Sequence, residues 1–327
     1  MPVQNSKLLT YEQDRSIVKV FYDQFTRKPP LWSRLFKKTT WPKGYEWTEA
    51  DIAGLGGELR EAAEGEAVEY ITASQGNKVT RVPKKFQLGF QVTEEAIEDD
   101  LFGNVIKLAS SLGRVASNTL EVSGAALFNN AFTTSLGKDG LALCADAHHT
   151  VRSPAGTAID NKATADLDTT SLEAAFEYFQ RLVGEDDLPI QMVLKLLMVP
   201  IGEQWKAMEL MRAQGRVFDT ADGDMNRGLT KISSTYYPTA MNAPNMLRPE
   251  MNPAQGASWD VIVNQYLTDT DAWFCLGDEV DLRMAMKREV KIQSADDLAT
   301  GNRLYRCSTR FLAFMNEYRG IYGSTGA

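Results

Sequence analysis

The tightest gathering of side chains able to do chemistry is Cys144, Asp146, His148 and His149, which includes both histidines of the chain. Alternate residues in a loop can bring a thiolate, a carboxylate and one imidazole to a zinc ion, but tetrahedral zinc needs a fourth donor and none lies nearby. The segment therefore reads first as a hydrogen-bonded polar loop, with a metal- or ligand-binding enzyme as the sharper alternative. Asp222, Asp224 and Asn226 begin a calcium-loop pattern that then fails, with Arg227 where the turn needs glycine and Ser233 in place of the bidentate glutamate. Gly54-Leu55-Gly56-Gly57 lacks the third glycine, the preceding strand and the apolar helix of a dinucleotide fingerprint. No Gly-Lys-Ser/Thr phosphate loop, Gly-x-Ser-x-Gly elbow or His-Glu-x-x-His is present, and two adjacent histidines give a Ser-His-Asp relay little material. The expectation is a protein that is not an enzyme, with no catalytic, cofactor or metal site.

The bulk properties agree with a folded structural chain. At 327 residues, 43% hydrophobic and 24% charged, it is long enough for one large core or two modest ones. A net charge of -8 argues against a protein whose main task is gripping phosphates, which needs a basic face. Three widely spaced cysteines, Cys144, Cys275 and Cys307, read as reduced and buried. No apolar run reaches the ~18 residues of a membrane span, and Met1 to Thr10 lacks the pattern of a signal peptide, so the expectation is synthesis in the cytoplasm.

Charge comes in blocks along the first hundred residues. A basic, aromatic stretch carries Arg27, Lys28, Trp32, Arg34, Phe36, Lys37, Lys38 and Trp41. Eight carboxylates follow between Glu46 and Glu69, among them Glu58, Glu61 and Glu64, against Arg60 alone. Lys78, Arg81, Lys84 and Lys85 reverse the sign, and Glu94, Glu95, Glu98, Asp99 and Asp100 reverse it again. Blocks of one sign are commonly just solvated; alternating blocks also suit a surface that meets copies of itself.

The elements that would carry these charges follow from periodicity. Residues 1–49 read as an arm needing a partner surface, with a short helix over Tyr11 to Phe25. Ala67 to Ala73 and Val79 to Val92 alternate apolar and polar, joined by Ser74-Gln75-Gly76-Asn77-Lys78, the pattern of a protruding hairpin. Pro83 demotes its strand to an edge. Thr93 suits a helix N-cap, and Ile97, Leu101, Val105, Leu108, Leu112, Val115, Leu120, Leu127 and Phe132 then form one buried helical stripe, with a bend or break expected near Gly103. Thr170 to Val183 reads as an amphipathic helix with Leu172, Ala175, Phe176, Phe179 and Leu182 inward. Met192 to Val199 reads as a buried strand, Pro200 as the opening of a helix over 201–212, and Ile262 to Leu267, Ala272 to Leu276, Arg283 to Ile292 and Leu304 to Phe314 as later strands. Met192, Met198, Met208 and Met211 read as core filler.

The order of these elements, with Phe90 to Asp100, Glu121 to Phe132, Asp139-Gly140, Leu143 to His148, and Leu172 through Asp187, Pro189 and Leu196-Leu197-Met198-Val199-Pro200 to Ala207, resembles the major head subunit of tailed bacteriophages, including the Mu-type family. The likeness is best over Val68 to Leu210; after it the resemblance is one of layout. His149 departs from the proline or asparagine common there, and the chain before residue 46 has no counterpart.

The resemblance implies an α+β chain with the Hong Kong 97-type capsid fold. It divides the chain into an N-terminal arm (1–49), an extended hairpin loop (50–89), a peripheral domain (90–165 and 285–327) with a spine helix over 93–132, and a mixed α/β axial domain (166–284). It implies a major capsid protein that assembles as hexamers and pentamers into an icosahedral shell around double-stranded DNA, without sequence-specific binding and without a membrane. An encapsulin-like compartment is the alternative. A portal and room for a decoration protein come with the same resemblance; because no long helical stretch precedes the arm, a separate scaffolding protein is expected to assist assembly. The residues expected to meet neighbouring subunits are Arg34, Lys37, Lys38, Glu58, Glu61, Glu64, Lys78, Arg81, Lys84 and Lys85.

Overall fold

A computed structural model describes residues 6–53, 61, 65, 67, 68, 70, 74–93, 95, 96, 102–134, 137–150, 158–184, 188–212, 259–297, 300 and 302–326. The chain divides into two units: residues 1–48, 80–127 and 282–314 form the first, and 49–79, 128–281 and 315–327 the second.

The first unit is built on a long helix and a four-stranded sheet. Helix α1 (Ser6–Phe25), a single turn α2 (Trp32–Leu35) and strand β1 (Lys37–Thr40) precede it; β4 (Lys84–Val92), helix α3 (Phe102–Asn129), β9 (Leu282–Asp296) and β10 (Arg303–Met315) complete it. The sheet order is β1-β9-β10-β4, with β1 parallel to β9 and β4 antiparallel to β10. Thr93 Oγ1 accepts the N–H of Ala96 at 3.3 Å, as an N-cap should. Helix α3 begins at Phe102 and runs unbroken through Gly113 and Gly124; the expected bend near Gly103 falls against residues outside those described.

Those two glycines serve packing. A Cβ at 113 would lie 2.5 Å from the carbonyl oxygen of Phe21, and one at 124 would lie 3.1 Å from the Phe36 ring. The helix thus offers two flat sites on which α1 and the α2 turn rest. Ile17 is buried with Val92, Val105, Ala109 and Tyr305, and Phe21 is fully buried. Asp14 accepts from the Tyr305 hydroxyl at 2.8 Å and forms an ion pair with Arg303, which also pairs with Asp296. The expectation that the arm lacks a resting place on its own chain is therefore corrected for residues 14–41: two apolar side chains one helical turn apart, and a glycine where they meet the spine, seat it on its own subunit.

The hairpin reading is corrected as well. Ser74 to Lys78, read as the turn, lie inside strand β3 (Ser74–Arg81), which pairs with β2 (Trp47–Ala53). The stretch read as one strand over Val79 to Val92 is instead interrupted at Val82-Pro83, since proline cannot donate to a ladder, and β4 pairs elsewhere. The ribbon is thus β2 with β3, and its connection spans residues 54–73.

The second unit holds a five-stranded sheet, ordered β5-β11-β8-β6-β7, from β5 (Lys162–Ala163), β6 (Leu194–Val199), β7 (Asp260–Val263), β8 (Trp273–Gly277) and β11 (Ile321–Ser324). Helix α4 (Thr169–Arg181) starts from a capping box in which Asp168 accepts the Ser171 N–H and Ser171 accepts the Asp168 N–H. It buries Leu172, Ala175, Phe176, Phe179 and the following Leu182 against Leu194, Leu197, Val199 and Trp273. Helix α5 (Gln204–Arg212) begins later than Pro200 had indicated. Residues 315–327, grouped by sequence with the strands before them, belong here instead. A 3-10 turn at Tyr318–Gly320 leads into β11, which pairs with β8 and β5. Gly323 permits that position, since a Cβ there would stand 2.8 Å from Cys144 Sγ and 2.9 Å from the Phe274 ring.

Candidate assembly surface

The loop that first drew attention is occupied with structure. His148 is fully buried, its Nδ1 donates to Asp139 Oδ2 at 2.5 Å, and its ring stacks on Tyr318 with centroids 4.0 Å apart. Burial alone would push the Asp139 carboxyl up, but the hydrogen bond and charge of His148, with the Leu141 N–H, outweigh it and hold the carboxyl below its ordinary value. Cys144 is buried, and desolvation pushes its thiol far above the normal range, which removes thiolate character. Asp146 points to solvent. Among the described residues no three of His, Cys, Asp and Glu gather as metal ligands. The aspartate-rich stretch from Asp222 and the glycines at 54–57 lie outside the described residues.

The charged residues expected at subunit contacts sort by environment. Lys84 and Lys85 are exposed on β4, Lys78 on β3 and Glu61 in the ribbon connection. Lys37 is exposed on β1, and Arg34 on α2 is exposed too. Lys38 Nζ pairs with Glu289 Oε1 of its own chain at 2.7 Å; both side chains are more than half exposed, so this pair contributes little. Arg81 is corrected: only 8% exposed, its guanidinium lies 4.4 Å over the Phe314 ring, which makes it an internal group. Glu58 and Glu64 fall outside the described residues.

Two apolar surfaces were not singled out by sequence as surfaces. In the ribbon connection, Val68 is 72% exposed and Tyr70 91%. On α3, Leu108, Val115 and Val122 are exposed and recur every seven residues, so they share one face. That face borders a partly open cavity of about 260 Å³ between α3 and the sheet, lined by Phe86, Leu88, Leu112, Val115, Cys307 and Thr309. Periodicity placed Leu108 and Val115 in the buried helical stripe, and this is corrected: both are exposed, as are Val122 and Leu88 of β4.

Single apolar side chains at a surface are ordinary, but a stripe beside an open cavity is the mark of a contact surface. No helix among the described residues is long and apolar enough to cross a membrane.

Comparison with known proteins follows the same line. Residues 77–324 match the phage capsid protein family. No curated protein sequence matches the chain. Among solved structures, the capsid of the cyanophage P-SCSP1u superposes with a TM-score of 0.55 at 10% identity, covering 92% of this chain and 89% of that one. The capsid of an empty GTA particle gives 0.53 at 12% identity, covering 90% and 88%. The mature capsid of bacteriophage PhiM1 gives 0.52 at 7% identity, covering 89% and 85%. At such identities the likeness speaks for the fold, the Hong Kong 97-type, and the family match speaks for descent. The chain accordingly belongs to the phage capsid protein family, as a shell-forming major capsid protein of the icosahedral head.

Proposed function

We propose that this subunit builds its shell from hexamers and pentamers around double-stranded DNA, acting structurally and without catalysis, and that its copies are joined by the β2–β3 ribbon of one lying across the next. In this reading α3 is the spine of the peripheral domain, and the five-stranded sheet with α4 belongs to the axial domain. The basic residues Lys78, Lys84 and Lys85 and the acidic flank with Glu58, Glu61 and Glu64 set the register of the contact.

The observation that carries the reading is the pairing of two uncovered apolar surfaces on one chain: Val68 and Tyr70 in the ribbon connection, and Leu108, Val115 and Val122 beside the open cavity. Neither is covered by its own chain, and each has the chemistry to cover the other on a sister copy. The acidic balance of the chain suits a lining that lets DNA pack densely and leave. A separate scaffolding protein and a portal, with room for a decoration protein, complete the proposed assembly, which forms in the host cytoplasm.

The test is electron microscopy of the purified chain, expressed with and without its ribbon connection (residues 54–73 replaced by a short Gly-Ser link). Particles from the complete chain and folded, unassembled subunits from the truncated one are expected; correctly sized shells from the complete chain alone would count against the scaffolding protein. Shells of normal diameter from the truncated chain would overturn the ribbon's role; nuclease-protected nucleic acid against protein cargo in native particles decides the DNA reading.

A further inference from the structure

The ribbon leaves the first unit through a cluster whose make-up exceeds what packing requires. Trp47, at the start of β2, meets Trp41 edge-on at 5.3 Å and 86°, and meets Phe314 edge-on at 5.5 Å and 85°. Trp41 and Phe314 are buried, over the fully buried Ala285. The guanidinium of Arg81, at the end of β3, lies 4.4 Å over the same Phe314 ring. One residue inward along each strand, the hydroxyls of Thr48 and Thr80 stand 2.9 Å apart and join the two strands directly. Beyond Arg81, the Pro83 carbonyl accepts from Arg310 Nε at 3.4 Å, and the Arg310 guanidinium lies 5.6 Å over the Tyr45 ring. Both strands are thus held at their ends, and the first unit's share of the chain ends at Thr48 and resumes at Thr80, directly at this cluster.

A buried guanidinium is a costly way to fill space, because its desolvation must be repaid by directional contacts. Edge-on aromatic pairs and a cation over a ring supply direction: each weakens when its rings rotate. An aliphatic cluster of equal volume would stabilise the fold as well and leave the strands free to swivel.

We infer that Trp47, Arg81 and Phe314 form a clamp that fixes the direction in which the ribbon leaves the subunit, and so act as positioning residues for the angle between neighbouring copies. Shell curvature is the sum of that angle over every contact, so a small swivel at the clamp becomes a spread of particle diameters. This inference rests on the ribbon reading proposed above.

Arg81→Met keeps the bulk and removes the cation. The expected result is a subunit that still melts cooperatively, with amides of Trp47–Thr48 and Thr80–Arg81 exchanging about 5- to 10-fold faster while α3 amides are unchanged. Its particles should vary in diameter more widely than those of the wild type. Adding Thr48→Cys and Thr80→Cys, which places two sulfurs within bonding reach across the strands, should restore the wild-type spread when oxidised and lose it when reduced. Arg81→Lys should recover part of the uniformity. Unchanged exchange at the clamp, or a widened spread that persists with the disulfide formed, would overturn the inference. Should Arg81→Met fail to fold, Trp47→Phe is judged by the same two readouts. If the ribbon-truncated chain makes normal shells, the ribbon reading falls, while the exchange measurement on the monomer still judges the clamp.

Discussion

Gly113 of the spine helix lies so close to the backbone of Phe21 that a methyl group there would stand 2.5 Å from the Phe21 carbonyl oxygen. Alanine would raise helix propensity by up to ~1 kcal/mol, yet the collision is with backbone, and overpacking of this kind costs roughly 1–3 kcal/mol. The collision wins, and Gly113→Ala should lower the urea midpoint of the monomer. Gly103, with nothing within 4 Å of its Cβ position, is the control: Gly103→Ala should not lower it.

Glu121 makes the second attachment. Its two oxygens accept the backbone N–H groups of Leu31 at 2.6 Å and Trp32 at 3.0 Å, satisfying amides that the short α2 turn leaves open. Glutamine offers one oxygen in place of two, so Glu121→Gln should cost at most about 1 kcal/mol. Burial pushes the Glu121 carboxyl above its ordinary 4.5, and the two N–H groups only partly offset this. A group whose folded value is raised contributes stability that is complete below the unfolded value and is lost as pH rises through the folded one. The gap between wild type and Glu121→Gln should therefore narrow as pH climbs above 4.5, measured by paired urea titrations from pH 4 to 7.

How much of this was legible in the sequence depends on whether a signal is local. Helix α4 was, because Leu172, Ala175, Phe176 and Phe179 recur at helical spacing behind an Asp168 cap, and all of them are buried. Strands β9 and β10 were legible from their alternation. The ribbon's register was not: Gly76-Asn77 favours a turn locally, and only pairing with β2, more than twenty residues earlier, makes it strand. Strand β1 is Lys-Lys-Thr-Thr, with no apolar alternation at all, and exists because β9 offers it a parallel edge. The docking of the arm was hidden for the same reason: glycine disfavours a helix locally, and only the Phe21 backbone packed against Gly113 accounts for it there. On the contact surface, exposed Lys84 and Lys85 were legible from charge alone, whereas Arg81 in the same block turned inward to Phe314.

The Asp139–His148 pair should contribute to the acid behaviour of the second unit. Asp139 sits below its ordinary 3.8, so its contribution is present above that value and is lost as pH falls through the lower, folded one. Asp139→Asn should remove this acid limb. His148→Leu fills the space but leaves the largely buried carboxylate without its partner, a loss of about 3–5 kcal/mol at neutral pH. A denaturation series at pH 7 and at pH 2–4 checks both; equal stability of wild type and His148→Leu at pH 7 would contradict the assignment.

Lys84 and Lys85 allow assembly to be separated from folding. In the β4–β10 ladder Lys85 stands directly opposite Arg310, and Lys84 opposite Phe311. Like charges directly opposite each other are mildly unfavourable in an antiparallel pair, by roughly 0.2–1 kcal/mol, so Lys85→Glu should leave the monomer as stable as before or slightly more so. The same reversal inverts the charge that β4 presents on its exposed side. Lys84→Glu with Lys85→Glu should accordingly give a monomer with an unchanged or raised melting temperature and a sharply reduced yield of shells, recovered in part by raised salt, which screens exposed charges over about 10 Å at 0.1 M and less above it. Sedimentation of the double variant beside wild type at two salt concentrations reads both effects. A destabilised monomer would place the lysines in the fold, and normal shells would remove them from the contact.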